Sequence, residues 1–256
     1  MTTRIPALAP PSSPCGSTAG STTRHGGGEW IPRFCRGTTK EGVTRRMALG
    51  MAAGSLLVPF RNVWAAAVPE SRTFIISRKG SDVGRQDTSF AATGSGFTMA
   101  LRMEIAVKVA FVTAYRYRHE ADETWQDGKL VASRIAIDDN GKKSLVEVRE
   151  ASGQLQVTGP SGSYATPLGT MTDSDYWNAA IVDARRLIDG QRGDISTLKI
   201  TRSGSSPPPG GGAATARYEI VSPGRPEGLL WYDEAGRLVG SEVHTKGEVL
   251  TFRLAR

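Results

Sequence analysis

Hydrophobic and polar positions alternate along one long stretch of the chain, residues 97–111. The apolar residues, found at every second position, are Phe97, Met99, Leu101, Met103, Ile105, Val107, Val109 and Phe111. The residues between them are polar or small. Because strand side chains point alternately to opposite faces, this period predicts a β-strand with one buried and one exposed face. A strand of this length requires curvature or a β-bulge, so we predict that it is the spine of a strongly bent antiparallel sheet.

Shorter segments with the same period occur on both sides of this spine, separated by turn signals. Asp127-Gly128 and Asn140-Gly141 are the clearest signals, because hairpin turns need positive φ at their central residues. The other segments predicted as strands are 72–78, 85–90, 115–120, 129–138, 142–150, 154–158, 194–201, 216–221, 228–232, 238–245 and 248–254. Residues 204–213, which contain three consecutive prolines and three consecutive glycines, are predicted to be a flexible hairpin loop.

Residues 172–189 depart from the period of two. Their apolar spacing fits a short helix that Asp173 or Ser174 caps and Gly190 ends, and we expect this helix to plug or flank the sheet. The predicted fold is therefore mainly β. We expect a strongly curved antiparallel sheet or half-barrel of about ten strands with one short helix, and the alternative is a β-sandwich.

The first 67 residues differ in composition from the rest. Residues 1–40 are rich in Pro, Ser, Thr and Gly without a hydrophobic period, which predicts a disordered extension. Residues 41–67 contain Arg45-Arg46, an apolar run and Ala65-Ala66-Ala67, the pattern of a cleaved twin-arginine signal peptide. The alternative is a membrane anchor, although the run is shorter than the roughly 20 residues of a span.

Cleavage near Ala67 and Val68 would release a single β domain, residues 68–256, into the periplasm. We expect no stable membrane span after cleavage. The leader holds eight basic and two acidic residues, which leaves 24 basic and 23 acidic residues in the domain. This balance removes the electrostatic basis for binding nucleic acid. Both cysteines, Cys15 and Cys35, lie in the leader, so the domain has no disulfide and no cysteine nucleophile.

Catalytic motifs are weak in this domain. It has no Gly-x-Ser-x-Gly motif, no dinucleotide-binding glycine pattern and no phosphate-binding loop. Its two histidines, His119 and His244, would have to meet in space to form a metal site, so we predict no metal and no cofactor. One enzymatic hypothesis is a hydrolase or isomerase that uses His119 with Glu120 or Glu123.

A cluster of aromatic and basic residues near the spine is the best candidate for a binding site. Its members are Tyr115, Arg116, Tyr117, Arg118, His119 and Trp125. On a strand the tyrosines and the histidine share one face, which is suited to lining a cavity. The arginines share the other face, where they form a fork for a carboxylate or phosphate. The alternative is cross-strand packing, with the arginines paired to Glu147 or Glu150.

Several motifs resemble a family of exported bacterial proteins known only as a domain of unknown function. They are Tyr115-Arg116-Tyr117 with His119, Glu123-x-Trp125-x-x-Gly128-x-Leu130, Asp139-Asn140-Gly141 and Trp177-Asn178. The resemblance covers roughly residues 74–252. It implies export and a fold similar to curved-sheet periplasmic carriers of lipids and lipoproteins, but no established activity.

We therefore predict a non-enzymatic periplasmic protein that binds an apolar or amphiphilic ligand, such as a lipid, on the concave face of the sheet. Met99 and Met103 of the spine join the cluster as predicted ligand-binding residues, because methionine suits adaptable binding surfaces. The alternative is an envelope interaction or scaffold module whose partner protein pairs with an exposed edge strand.

Overall fold

The computed structural model describes residues 68–109, 112–223, 227–245 and 247–255. The predicted extension and signal peptide, residues 1–67, lie outside these ranges. The described residues form fifteen strands: β1 (Arg72–Arg78), β2 (Ser81–Thr93), β3 (Gly96–Val109), β4 (Val112–Gln126), β5 (Lys129–Asp139), β6 (Lys142–Ala151), β7 (Gln154–Gly159), β8 (Gly162–Pro167), β9 (Arg186–Ile188), β10 (Ile195–Thr197), β11 (Lys199–Ser206), β12 (Thr215–Val221), β13 (Glu227–Tyr232), β14 (Leu238–Thr245) and β15 (Glu248–Leu254).

Thirteen of these strands form one antiparallel sheet, in the order β11-β12-β13-β14-β15-β1-β2-β3-β4-β5-β6-β7-β8. Two meanders, β1–β8 and β11–β15, are joined where β1 pairs with β15, with Phe74 opposite Leu254. The sheet is not closed, because β8 and β11 each have a paired neighbour on one side only within the described chain. The predicted curved antiparallel sheet is confirmed, and the strands do not divide into the two facing sheets of a sandwich.

Strand β3 is the spine that the alternating pattern predicts. Its inward-facing buried residues are Phe97, Met99, Leu101 and Ile105, whereas Arg102, Glu104 and Lys108 on the other face are exposed. The ladder with β4 shifts register between Val107 and Lys108, which is the irregularity expected in so long a strand. Phe111, the last residue of the predicted pattern, lies outside the described ranges.

The segment predicted as one helix contains two short 3₁₀ turns, Asp175–Trp177 and Ala179–Asp183, followed by β9. Asn178 separates the turns with an extended backbone, φ −96° and ψ 111°, and its side chain accepts a hydrogen bond from the amide of Ala180. Such a side-chain bond to the local backbone competes with a continuous helix. We refer to residues 168–198, which include these turns and the β9–β10 hairpin, as the plug.

The plug contributes to both hydrophobic clusters of the core. Ile188 belongs to the cluster that contains the inner residues of β3 to β7. Ile181, Leu187 and Leu198 belong to the cluster that contains inner residues of β1 and β12 to β15. The prediction that this segment would plug the sheet is therefore correct, although its conformation is not an α-helix.

The Pro/Gly loop between β11 and β12 is packed against the sheet, although its composition predicts flexibility. A Cβ atom at Gly240 of β14 would lie 2.7 Å from Pro209 Cδ and 3.2 Å from Pro208 Cβ. Trp231, which is opposite Gly240 in the β13–β14 ladder, is only 4% exposed, and its indole donates a hydrogen bond to Ser206 Oγ. The absence of a side chain at Gly240 thus allows the loop to close over β14.

Gly240→Ala should lower the free energy of unfolding by roughly 1–3 kcal/mol, because the added methyl group overpacks the contact with the two prolines. Gly94→Ala is the matched control, since a Cβ there meets nothing within 4 Å. We expect the control to change stability by less than about 1 kcal/mol. Urea unfolding measures both values, and equal effects of the two substitutions would contradict the packed loop.

Candidate functional site

A cavity of about 570 Å³ lies on the concave face, between the sheet and the plug. Its apolar lining residues come from β5, the plug, β12, β13 and β14, and they are Ile137, Leu187, Ile188, Leu198, Ile220, Leu230 and Val243. This volume is within the usual range of small-molecule sites, and such sites are typically lined by apolar side chains with a few polar groups.

The register of β4, β5 and β6 places several polar side chains along one wall of the cavity. Tyr117 of β4 and Lys142 of β6 both lie opposite Asp139 of β5. Two residues further along these strands, His119 and Ser144 both lie opposite Ile137. Directly opposite residues share a face of the sheet, and so do residues two positions apart on one strand. Tyr117, His119, Lys142 and Ser144 therefore point to the same side, and all four line the cavity. We call Tyr117, His119, Lys142 and Ser144 the polar wall.

His119 is neutral at physiological pH. Its side chain is buried, and this burial lowers its pKa to about 4. The Nε2 atom lies 3.0 Å from Ser174 Oγ in the plug. Ser174 is 3% exposed and does not line the cavity, so this hydrogen bond joins the polar wall to the plug outside the cavity.

Tyr117 keeps its hydroxyl proton. Burial raises its pKa, and the negative charge of Asp173 raises the pKa further. The phenol therefore acts at the cavity as a neutral group that can donate a hydrogen bond.

Glu123 and Asp175 form a second buried polar cluster, which does not line the cavity. Glu123 is 2% exposed and accepts hydrogen bonds from Trp125 Nε1 at 2.9 Å, Thr172 Oγ1 at 3.0 Å and Ser133 Oγ at 3.1 Å. Burial, and then the charge of Glu123, raise the pKa of Asp175 well above its usual range. Asp175 therefore keeps its proton to a higher pH than a free carboxyl group does, and it is hydrogen-bonded to Glu123. This pair connects β4 and β5 to the plug.

A cluster of aromatic rings packs around Trp177, which lies in the plug two residues after Asp175. The Trp177 ring meets the rings of Phe90, Trp125 and Phe97 edge to face, with centroids 4.9, 5.2 and 5.7 Å apart respectively. Its indole nitrogen donates to Asp175 Oδ1 at 3.3 Å. Trp125 and Trp177, two residues of the resemblance motifs, therefore anchor the plug to the sheet.

Of the predicted ligand-binding residues, Tyr117 and His119 line the cavity. Tyr115 lies on the same strand but donates its hydroxyl to Asp139 Oδ1 at 2.7 Å. The other inward-facing predicted residues, Met99, Met103 and Trp125, belong to or pack against the hydrophobic core and do not line the cavity.

Arg116 and Arg118 are exposed on the face of the sheet opposite the cavity, which is the face that strand alternation predicts for them. The Nε atom of Arg118 donates to Glu104 Oε1 at 2.9 Å, so its partner is on β3 and is neither Glu147 nor Glu150. Sequence reasoning missed Lys142 and Ser144. The Asn140-Gly141 turn was the available signal, because it fixes the β5–β6 register and hence the faces of the residues that follow.

The enzymatic hypothesis paired His119 with Glu120 or Glu123. Strand alternation directs Glu120 to the face opposite His119, and the oxygens of Glu123 are occupied by the donors described above. His244 is exposed on β14, with Nε2 3.4 Å from Glu242 Oε2. Among the residues described, no group of three or more His, Cys, Asp or Glu side chains is arranged to hold a metal ion.

The model of a family described as "Domain of unknown function (DUF6134)" matches residues 74–255. The chain belongs to this family. The match confirms the resemblance to an uncharacterised domain family and covers nearly the same part of the chain. A search of curated proteins gave no match.

One similar solved structure is the crystal structure of a β-barrel-like protein of domain of unknown function DUF1849 from Brucella abortus. The sequence identity is 12% and the TM-score is 0.51, and the match covers 74% of this chain and 96% of that chain. At this identity the likeness shows a shared β-barrel-like fold and nothing about activity. No helix in the described part of this chain is long and apolar enough to cross a membrane.

The raised pKa of Asp175 predicts a specific pH dependence of stability. Above about pH 4 the unfolded chain releases this proton, whereas the folded protein keeps it until the raised pKa is reached. The contribution of Asp175 to stability therefore falls as the pH rises through this interval. Asp175→Asn keeps the shape and a donor but cannot ionise, so its stability relative to the wild type should increase with pH.

Urea unfolding from about pH 4 to about pH 9 measures this difference. Asp175→Ala is the comparison variant, because it removes the carboxyl partner of Glu123 and leaves Thr172 as its remaining partner in the plug. We expect it to be less stable than Asp175→Asn by roughly 1–3 kcal/mol at neutral pH. A stability difference between Asp175→Asn and the wild type that does not change with pH would rule out a raised pKa of Asp175.

Proposed function

We propose that the protein binds an apolar or amphiphilic ligand in the cavity on the concave face of its sheet. The observation that carries this proposal is the composition of the cavity, in which apolar side chains from the plug and the sheet line a space together with polar groups from β4, β6, the plug and β14. The plug fills the concave face beneath the aromatic cluster but leaves about 570 Å³ open beside Tyr117 and His119. Burial of ligand hydrocarbon there would contribute roughly 25 cal/mol per Å² of apolar surface.

The surroundings of His119 favour binding over hydrolysis. The hydroxyl nearest to its Nε2 belongs to Ser174, which does not line the cavity and so cannot meet a bound molecule there. Tyr117 and His119 are the two predicted residues that remain in the proposed ligand site. Their role in this proposal is to contact the ligand and not to transfer protons.

Organic extraction of the purified protein, followed by mass spectrometry, should release an apolar or amphiphilic molecule. The apolar fluorescent probe N-phenylnaphthylamine should bind to the extracted protein. Val243→Phe, which places a larger side chain in the cavity wall, should weaken probe binding roughly tenfold or more. Val249→Phe is the matched control, because Val249 is 42% exposed on the neighbouring strand and does not line the cavity.

Probe binding by the control should match that of the wild type. The ligand-binding proposal fails if the extracted wild-type protein does not bind the probe and extraction yields no molecule. It also fails if both phenylalanine variants bind the probe as tightly as the wild type.

We also propose that the protein acts in the periplasm after export. The support is the twin-arginine pattern at Arg45-Arg46 with the small residues at 65–67. The first strand begins at Arg72, shortly after the proposed cleavage site, so cleavage near Val68 would leave the whole sheet intact.

Amino-terminal sequencing of the periplasmic protein should give a start near Val68. Replacement of both Arg45 and Arg46 by lysine should leave the full-length precursor in the cytoplasm, because this export route reads the arginine pair. Replacement of Arg33 and Arg36 by lysine is the matched control and should not change export. Export of the Arg45/Arg46 variant at the control level would contradict the twin-arginine route.

A second candidate function is an interaction module that pairs a partner strand with an open sheet edge. The observation that favours it is the open sheet, in which β8 and β11 are the two edge strands among the residues described. Both edges carry features that hinder pairing, since β8 ends at Pro167 and β11 has a register shift between Arg202 and Gly204. These features are the reason why we place ligand binding first.

A further inference from the structure

We propose that the cavity selects an amphiphile with an anionic head group, a carboxylate or a phosphate, and that Lys142, Ser144 and Tyr117 bind this head group. The inference rests on the proposed ligand-binding function and specifies the class of ligand. It also replaces the arginine fork expected from the sequence, because Arg116 and Arg118 lie on the opposite face of the sheet.

Lys142 supplies the positive charge of the polar wall. It is the first residue of β6, directly after the Asn140-Gly141 turn, and it lies at the exposed end of the cavity. It forms no ion pair within the described part of the chain. Its cross-strand neighbour Asp139 already accepts a hydrogen bond from Tyr115 at 2.7 Å. Since no ion pair engages it there, the ammonium group is available to an anion that enters from solvent.

Ser144 provides a hydrogen-bonding group that the protein itself does not use. Two residues after Lys142, it shares the same face of β6 and lines the cavity. Its Oγ atom is buried and has no hydrogen-bond partner among the residues described. Buried hydroxyl groups are normally paired, and rotation about the Cα–Cβ bond would turn this unpaired one into the cavity, where a head group could bind it.

Tyr117 completes the set, because it keeps its proton and lies in the same cross-strand row as Lys142. The ammonium group can only donate hydrogen bonds, and both hydroxyl groups can donate them. A head group with several acceptor oxygens and a negative charge satisfies all three residues together. A cationic head group would instead be repelled by Lys142.

Two acidic residues border the polar wall, since Asp139 lies opposite both Tyr117 and Lys142, and the charges of Asp139 and Asp173 both raise the pKa of Tyr117. Asp173 and Asp189 are in the plug, where their side chains accept hydrogen bonds from the backbone amides of Gly190 at 3.1 Å and Gln191 at 2.9 Å. Glu242 is on β14, on the far side of the cavity, next to His244. A ligand whose head group binds at the β4–β6 wall therefore directs its chain towards the apolar residues of β13 and β14.

Competition against N-phenylnaphthylamine with four ligands of equal chain length tests the head-group preference. The ligands are laurate, dodecyl phosphate, dodecanol and dodecyltrimethylammonium. In the wild type we expect laurate or dodecyl phosphate to bind roughly tenfold or more tightly than dodecanol, and dodecyltrimethylammonium to bind most weakly. The ratio of laurate to dodecyl phosphate affinity identifies which anionic head group the site prefers.

Lys143 and Arg192 also line the cavity, and Arg192 pairs with Asp194 at 3.4 Å. Lys142→Met should therefore remove most of the difference in affinity between the anionic ligands and dodecanol, and it should leave the affinity for dodecanol unchanged. Ser144→Ala should reduce, but not abolish, the ratio of the affinity for the anionic ligands to the affinity for dodecanol. Arg116→Met is the matched control, because it removes one exposed positive charge from the opposite face. The affinity of this control for the anionic ligands, relative to dodecanol, should equal that of the wild type.

The head-group inference is overturned, and ligand binding survives, if dodecanol or dodecyltrimethylammonium binds the wild type as tightly as the anionic ligands. It is also overturned if Arg116→Met lowers the anionic affinity as much as Lys142→Met, since the effect would then be one of net charge. If none of the four ligands displaces the probe, and the probe itself does not bind, the proposed function fails together with the inference.

Discussion

The hydrogen-bonded pair of buried carboxyl groups, Glu123 and Asp175, is the interaction on which the rest of the structure depends. An ionised carboxylate is tolerated in a protein interior only when its oxygens are fully hydrogen-bonded. Glu123 receives donors from the sheet, through Trp125 and Ser133, and from the plug, through Thr172. Because these donors must converge on one group, the plug has a single position in which the pair is satisfied.

The position of the plug determines where the concave face is filled and where it is open. Trp177 packs against the aromatic side chains of β2, β3 and β4, and Ile181 enters the core on the other side. Neither contact reaches the end of the sheet where β4, β5 and β6 face β13 and β14. The cavity lies there, lined by the polar wall and Ile137 on one arm of the sheet and by both apolar and polar residues on the other. The structural anchor and the proposed ligand site are therefore adjacent but separate.

The shared fold with the protein from Brucella abortus does not specify a ligand, since the same curved sheet can carry different sites. The support for a ligand therefore comes from the cavity of this chain. His119 is held neutral by burial, Tyr117 keeps its proton, and the Ser144 hydroxyl has no partner among the described residues. These properties are the basis on which we propose recognition of an acceptor-rich head group and not acid–base catalysis, which would require groups that exchange protons near neutral pH.

The sequence by itself determined the strands and their buried faces, because a period of two is a local property of each segment. The alternation in β3, and the Asp127-Gly128 and Asn140-Gly141 turns, specified the spine and two hairpins without reference to the rest of the chain. Only the tertiary structure decided that Glu123 meets Asp175 and that Lys142 and Ser144 share a wall with Tyr117. These contacts depend on strand register across β4 to β6 and on a plug far along the chain, and local patterns do not encode such distances.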